Sequence, residues 1–443
     1  MTFPSYRAMV VANIEMKSKY AEVFMDYIKR SIEDKLLKSS KTFKAVLLTG
    51  PRQVGKSTLL KTQFPNRKYI SLDDPFLEQQ AKESGSMFMM LNQPPVTIDE
   101  VQRAPELFRY IKIKCDESDE RGLFCLSGSQ QFKLMQNASE SLSGRISIIE
   151  LSGLSLREIQ KDSFNQHFLP TMDYILERQK TVKTPNNIWE IIHRGSYPEL
   201  QKKEVEWAAF YADYVKTYIE RDVRELSAVQ NLDVFRRFMI AVAARTGEVL
   251  NYSNLASEVG KDVTTIKNWV SILEASGIIY LLEPYTSSVL KRAIKTPKLY
   301  FRDTGLACYL TRWLTADALA YGAYSGHIFE TFVISEILKS FSNAGLDYRY
   351  FVSYYRGRDK KKIKKSGETI EVECEIDFII EENGVLYPIE IKQNSNVSSD
   401  ETSAFMVLDK LEDKKRGMGA IVCMCPYPGA LRENILQIPI WYI

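Results

Sequence analysis

The stretch Ala45–Leu60, AVLLTGPRQVGKSTLL, constrains this chain more than any other. Apolar Val46, Leu47 and Leu48 lead to Thr49, Gly50 opens GPRQVGKS, and Thr58, Leu59 and Leu60 continue as a helix. A G-x-x-x-x-G-K-[ST] run between a strand and a helix is a phosphate cradle. Gly50 and Gly55 let the backbone curl so that its N–H groups face phosphate oxygens, and the helix N-terminus adds partial positive charge. The run Gly50, Pro51, Arg52, Gln53, Val54, Gly55, Lys56, Ser57 and Thr58 is therefore expected to bind a nucleoside triphosphate, ATP in the first instance. Lys56 is expected to reach the β- and γ-phosphates, and the Ser57 hydroxyl to ligate Mg²⁺.

Around this run the pattern alternates between strands and helices. AVLLTG (45–50), KYISLDD (68–74), PVTIDEV (95–101), GLFCLSGS (122–129) and RISIIELS (145–152) read as five strands of a parallel α/β sheet with helices on both faces. VTIDE ends in Asp99 and Glu100, at the strand tip where such sheets bind ligands. Asp99 is expected to hold Mg²⁺ through water beside Ser57, and Glu100 to polarise the attacking water as a general base. The pair favours a hydrolase over a kinase or switch GTPase. Ser127 or Ser129, at the next strand tip, is a candidate for orienting water or sensing the γ-phosphate; a plain small-residue turn is the alternative. Arg145, just before the fifth strand, is either a stabiliser of transition-state charge, in its own subunit or a neighbour's, or a surface arginine.

At 443 residues the chain has room for two or three domains. A lead-in over 1–40 carries Phe24, Tyr27, Ile28, Ile32 and Leu36 at helical spacing, with Met25 as an alternative start. The ATPase core spans 41–153, followed by a helical lid over 154–245 with an apolar face of Tyr211, Tyr214, Val215, Tyr218 and Ile219. Glu220, Arg221, Asp222 and Arg224 within it read as a solvated face with local ion pairs. Over 246–290, a short helix stopped by Gly260, a second helix capped by Asp262 and a strand make a winged helix. Thr264, Thr265, Lys267, Asn268 and Ser271 form its outer face; such residues contact phosphates and bases, while winged helices also bind proteins. In 291–443, the alternation of IEVECEIDFII puts Glu373, Glu375 and Asp377 on one face and Cys374, Ile376 and Phe378 on the other. Glu390 and Lys392 share a face of the following strand. The basic run Arg356–Lys365 is a candidate grip on phosphates or a solvated loop. The net charge of +3 restricts any nucleic-acid surface to a local patch. Six cysteines without metal-type spacing read as buried thiols of a cytoplasmic protein. No apolar run has the length of a membrane span, and Val10–Ala12 is too short for a signal peptide.

GPRQVGKST, VTIDEVQ, LSGSQ and SLSGR, in this order, resemble the AAA-like P-loop ATPases of the large prokaryotic family whose C-terminal half is a domain of unknown function. GSYPE (195–199), YIERDVREL (218–226), KTPKLYFRDTGLACYL (295–310) and the Glu-Ile-Lys strand extend the resemblance over nearly all of the chain after residue 25; the insert RGRDKKKIKKSGE (356–368) departs from it. Asp377 on one strand and Glu390-x-Lys392 on the next, with Glu330 on a preceding helix, resemble the PD-(D/E)XK nuclease core. That resemblance implies a restriction-endonuclease-like fold in which Asp377, Glu390 and the Ile391 carbonyl hold Mg²⁺ and Lys392 orients a hydroxide. Members of this superfold also bind without cutting. The chain is thus either an ATP-driven enzyme acting on double-stranded DNA, or a non-nucleolytic ATP switch with a scaffold for DNA or protein, and a homo-oligomer is a candidate assembly.

Overall fold

The computed structural model describes residues 27–129, 141–219, 231–286, 296–362 and 369–443. Strand β1 (Ala45–Thr49) is buried along its whole length, and its side chains leave alternately on two faces. Ala45 and Leu47 meet Ile98, Leu126, Phe88 and Phe108 on one side, while Val46 and Leu48 meet Leu36, Leu59 and Leu60 on the other. A strand apolar on both faces belongs inside a parallel sheet covered twice. With β2 (Lys68–Ser71), β3 (Val96–Asp99), β4 (Phe124–Ser127) and β5 (Ile146–Glu150), it forms such a sheet in the order β2-β3-β4-β1-β5, every pair parallel. Insertion of β4 between β1 and β3 places Ser127 between the glycine-rich loop and Asp99. Of the lead-in, a helix over Glu33–Thr42 is present; Phe24 and Met25 lie outside the described residues.

The segment expected as a helical lid packs in a core that joins one face of the parallel sheet to the C-terminal half. Its helices include Ile188–Arg194 and Trp207–Tyr214. Trp189 packs on Phe329, and Trp207 and Tyr211 pack on Tyr309. Buried Asp303 ties the segment down, accepting from the Ser196 backbone N–H and hydroxyl (both 2.7 Å) and from the Tyr211 hydroxyl (2.6 Å). So many aromatic side chains cannot face water on a mobile arm. Glu220, Arg221, Asp222 and Arg224 lie outside the described residues.

Helices Leu232–Ala243, Tyr252–Val259 and Val263–Ala275 surround an antiparallel sheet ordered β6 (Glu248–Val249), β8 (Lys298–Phe301), β7 (Ile279–Leu282). Asp262 accepts from the Thr265 N–H at 2.8 Å, and Gly260 adopts the left-handed conformation that ends the preceding helix. Ile266, Trp269, Val270 and Leu273 are buried, with Trp269 against Phe235 and Phe238. Thr264, Lys267, Asn268 and Ser271 are exposed.

The C-terminal sheet contains β9 (Val352–Lys362), β10 (Thr369–Glu382), β11 (Val385–Ile391), β12 (Lys415–Arg416), β13 (Gly419–Cys423), β14 (Gly429–Arg432) and β15 (Ile435–Pro439), in the order β14-β15-β13-β11-β10-β9 with β12 also beside β11. Asn383 and Gly384, both at positive φ, turn β10 into β11. A register shift between Ile376 and Ile379 corrects the expected alternation in β10. Ile376 packs with Phe405 and Leu386, whereas Phe378 joins the main core with Ile380 and Ile389. An extra residue in one strand moves the residues after it to the other face. In the basic run, Arg356 pairs with Glu373 and Arg358 with Glu371 across the β9–β10 ladder; residues 363–368 lie outside the described chain. All six cysteines are buried and none forms a disulfide, and among the described residues no helix is long and apolar enough to cross a membrane.

Candidate functional site

The helix after the glycine-rich loop begins at Lys56, with Gly55 as a left-handed cap that has no side chain to bond the first N–H groups. Those donors suit an anion. A Cβ at Gly50 would collide with the Leu151 carbonyl oxygen, which accounts for glycine there. Gln53 also holds a positive φ. Lys56 is buried, its ammonium donating to the carbonyls of Gly50 (2.9 Å) and Pro51 (2.7 Å). Pro51 lies against Gly277, at the end of helix Val263–Ala275, where an added Cβ would stand 2.7 Å from the proline ring. Thr58 is exposed on the first helical turn.

Ser57 donates to Asp99 at 2.7 Å, which brings the two expected Mg²⁺ ligands together. Hydroxyl and carboxylate oxygens are the donors this cation takes, so the pair fits Mg²⁺ carried on a nucleotide. Asp99 also accepts from Ser127 and from Tyr69, and its Oδ1 accepts from the Glu100 N–H at 3.1 Å. Glu100 stands at a positive φ of 56°. Its Oε2 accepts from Gln102 and, at 3.4 Å, from Ser129. Burial raises the Glu100 pKa, while Lys56 and Arg52 pull it back. Both serines are thus engaged, Ser127 with the carboxylate of Asp99 and Ser129 with that of Glu100.

Two residues of this site carry no mark in the sequence. Tyr69 comes from β2, brought beside Asp99 by the Ser71–Asp99 register of the parallel pair. Its hydroxyl pKa is raised by burial and then by the Asp99 charge, so it remains a hydrogen-bond donor. Arg30 precedes the first described helix. Its guanidinium donates to the carbonyls of Val54 (2.8 Å) and Ser152 (2.7 Å) and pairs with Glu158 at 3.1 Å, all under cover. Nothing in the local sequence singles out either one, because each acts on an element distant along the chain. Replacing Arg30 by Met should destabilise the fold by about 3 to 5 kcal/mol, since Glu158 would be left as a buried unpaired charge. Chemical denaturation checks this, and a change below about 1 kcal/mol, the level of an exposed pair, would remove Arg30 from the support of the loop.

Arg145 is not brought to this site. It precedes β5, at the edge of the sheet opposite the glycine-rich loop, where its carbonyl accepts from Ala45 N–H and its side chain pairs with Asp116. A role on phosphate within the same subunit is corrected by that placement: strands in a parallel sheet present ligands at their C-terminal tips, and Arg145 sits at the start of one.

In the C-terminal half, Asp377 on β10 and Glu390 on β11 lie on neighbouring strands, with Glu330 approaching from helix Ser325–Asn343. Asp377 accepts from the Ile391 N–H at 3.0 Å, and Lys392 donates to Glu390 at 2.7 Å. Burial, followed by the charge of Asp377, raises Glu330 to about 7 and Glu390 to about 8. A further member, absent from the expected set, is Lys298 of β8. Its ammonium lies 2.5 Å from Glu375, 3.6 Å from Glu330 and 3.9 Å from Asp377. Among the described residues, no group of three or more His, Cys, Asp or Glu side chains is arranged to hold a metal ion. The expected pair, Asp377 and Glu390, thus stands on neighbouring strands, with Lys298 as an added cation beside Asp377.

Residues 42–160 match the family model described as an AAA domain, and these are the residues that carry the loop, Asp99 and Glu100. The match supports an AAA-like ATPase over this segment. Residues 185–317 and 366–443 match two domains of unknown function, DUF8612 and DUF4143. Uncharacterised proteins of Mycobacterium bovis and Mycobacterium tuberculosis are each 26% identical over 438 residues, covering 97% of this chain and 87% of theirs. Among solved structures, a Walker-type ATPase of Pyrococcus abyssi is similar at 15% identity, over 65% of this chain and 96% of that one, with a TM-score of 0.36.

Proposed function

We propose that this protein binds ATP with Mg²⁺ and hydrolyses it, using the energy to move a DNA-binding half. The observation that carries hydrolysis is the carboxylate of Glu100, held by Gln102 and Ser129 next to the Ser57–Asp99 pair. The bound cation supplies charge neutralisation at the phosphates; Lys56 and the loop N–H groups orient them, and Glu100 takes the proton of the attacking water. Six buried thiols outside any disulfide suit work in the cytoplasm. A homo-oligomer is part of the proposal, since Arg145 can act on phosphate only from a neighbouring copy.

The three helices and three strands over 232–301 support reading the middle of the chain as a winged helix on double-stranded DNA, with Lys267 and Asn268 on its free face. The C-terminal sheet is proposed as restriction-endonuclease-like in fold and used for binding. Cleavage at Asp377, Glu390 and Lys392 is the weaker reading, because the Lys298 ammonium lies 3.9 Å from Asp377 and Glu390 is bonded to Lys392. The test is ATP turnover with and without duplex DNA, alongside plasmid cleavage with Mg²⁺. We expect DNA to change turnover and the plasmid to stay intact. Lys267→Glu should weaken DNA binding about tenfold or more by reversing a phosphate contact. Unchanged DNA affinity in that variant would move the partner from DNA to protein.

A further inference from the structure

The carboxylate cluster of the C-terminal half brings together side chains from four elements. Glu330 comes from helix Ser325–Asn343, Glu375 and Asp377 from β10, and Glu390 with Lys392 from β11 and its end. The fourth element is β8, which belongs to the other sheet and delivers Lys298. Tyr300, two residues along β8, donates to Glu330 at 2.6 Å. Tyr354 of β9 places its ring 5.5 Å from the Lys298 ammonium, and Arg356 stands 3.8 Å from Glu375 on the outer side.

Lys298 is an unusual choice for this place. Its side chain is 4% exposed, in a strand whose other residues are all buried and apolar or aromatic. Burying an ammonium costs several kcal/mol unless anions surround it. Here three carboxylates do so, one bonded and two at Coulombic range. A compact ammonium with three donors is the side chain best able to occupy a point among oxygens. A divalent cation shared by Asp377 and Glu330 would compete with this ammonium, which lies 3.9 and 3.6 Å from them. Asp377 also spends one carboxylate oxygen on the Ile391 N–H, and Glu390 spends one on Lys392.

We infer that Lys298 is the resident cation of this cluster, so that the carboxylates bind the three-strand sheet to the C-terminal sheet as a charge lock and leave no place for a divalent metal. The inference stands apart from the nucleotide reading, which has its own readout in ATP turnover. Metal binding at the cluster should therefore appear only when the ammonium is removed.

The experiment is a thermal-shift titration of the full chain with Mn²⁺ in the absence of nucleotide. Four proteins are compared: parent, Asp377→Asn, Lys298→Met, and Lys298→Met with Asp377→Asn. Parent and Asp377→Asn should respond to Mn²⁺ alike. Lys298→Met should melt lower than the parent without metal and gain a Mn²⁺-dependent rise that the added Asp377→Asn removes. Lys298→Arg, which keeps the charge, should show no such gain. A rise in the parent that Asp377→Asn abolishes would overturn the inference, for the metal would then bind with Lys298 in place. A folded Lys298→Met that gains nothing would overturn it equally, because the position would not be a cation's. If Lys298→Met does not fold, Lys298→Gln is read by the same criteria, and the parent against Asp377→Asn decides without either.

Discussion

Replacing Glu100 by Gln should leave ATP binding close to that of the parent and lower turnover by about 10²- to 10⁴-fold, the range that a positioned general base contributes. The substitution preserves shape and most hydrogen bonding, so Gln102 and Ser129 can still hold the side chain. What it removes is the ability to accept a proton. Burial keeps the Glu100 pKa raised and its basicity with it, and the amide has none. Nucleotide affinity by calorimetry and phosphate release by a coupled assay separate the two effects. Turnover at the parent rate would mean that the proton goes elsewhere and that Glu100 is a structural residue of the β3 tip.

Lys56→Ala should weaken ATP binding by about 100-fold or more. A hydrogen bond to a charged group is worth about 1.5 to 3 kcal/mol, and this side chain is placed to make more than one to phosphate. The loop itself loses support as well, because the Lys56 ammonium donates to the carbonyls of Gly50 and Pro51. Lys56→Arg distinguishes charge from shape: the longer planar group does not fit a buried position and should restore little. Equal affinity for ATP in parent and Lys56→Ala would refute the nucleotide site at its most specific residue.

The features legible in the sequence are those whose chemistry is contiguous. The loop from Gly50 to Thr58 and the Asp99–Glu100 pair each sit on one strand end, so spacing and apolar flanks are enough to locate them. Ile266, Trp269, Val270 and Leu273 are legible because helical periodicity and burial are the same fact seen twice. Tyr69, Arg30 and Lys298 are not, because each reaches its partners across a fold that no local pattern encodes. Arg145 misleads because a residue beside a strand can lie at either end of the sheet, and only the direction of β5 decides which. The β10 alternation fails at the register shift after Ile376, where no glycine or proline marks the change. The partners of the 154–245 segment are hidden for a further reason: an amphipathic helix announces that it is covered, but not by what.

Asp303 and the aromatic side chains around it have a consequence for synthesis on the ribosome. Tyr211 waits for a partner 92 residues further along, and Ser196 for the same partner 107 residues on. At about 5 to 20 residues per second, the helices that carry them emerge roughly 5 to 20 seconds before the surface that will cover them. During that interval Trp189 lacks Phe329, and Trp207 and Tyr211 lack Tyr309. Transiently exposed apolar surface is prone to aggregation, so a translational pause placed between residues 214 and 303 would prolong that exposure.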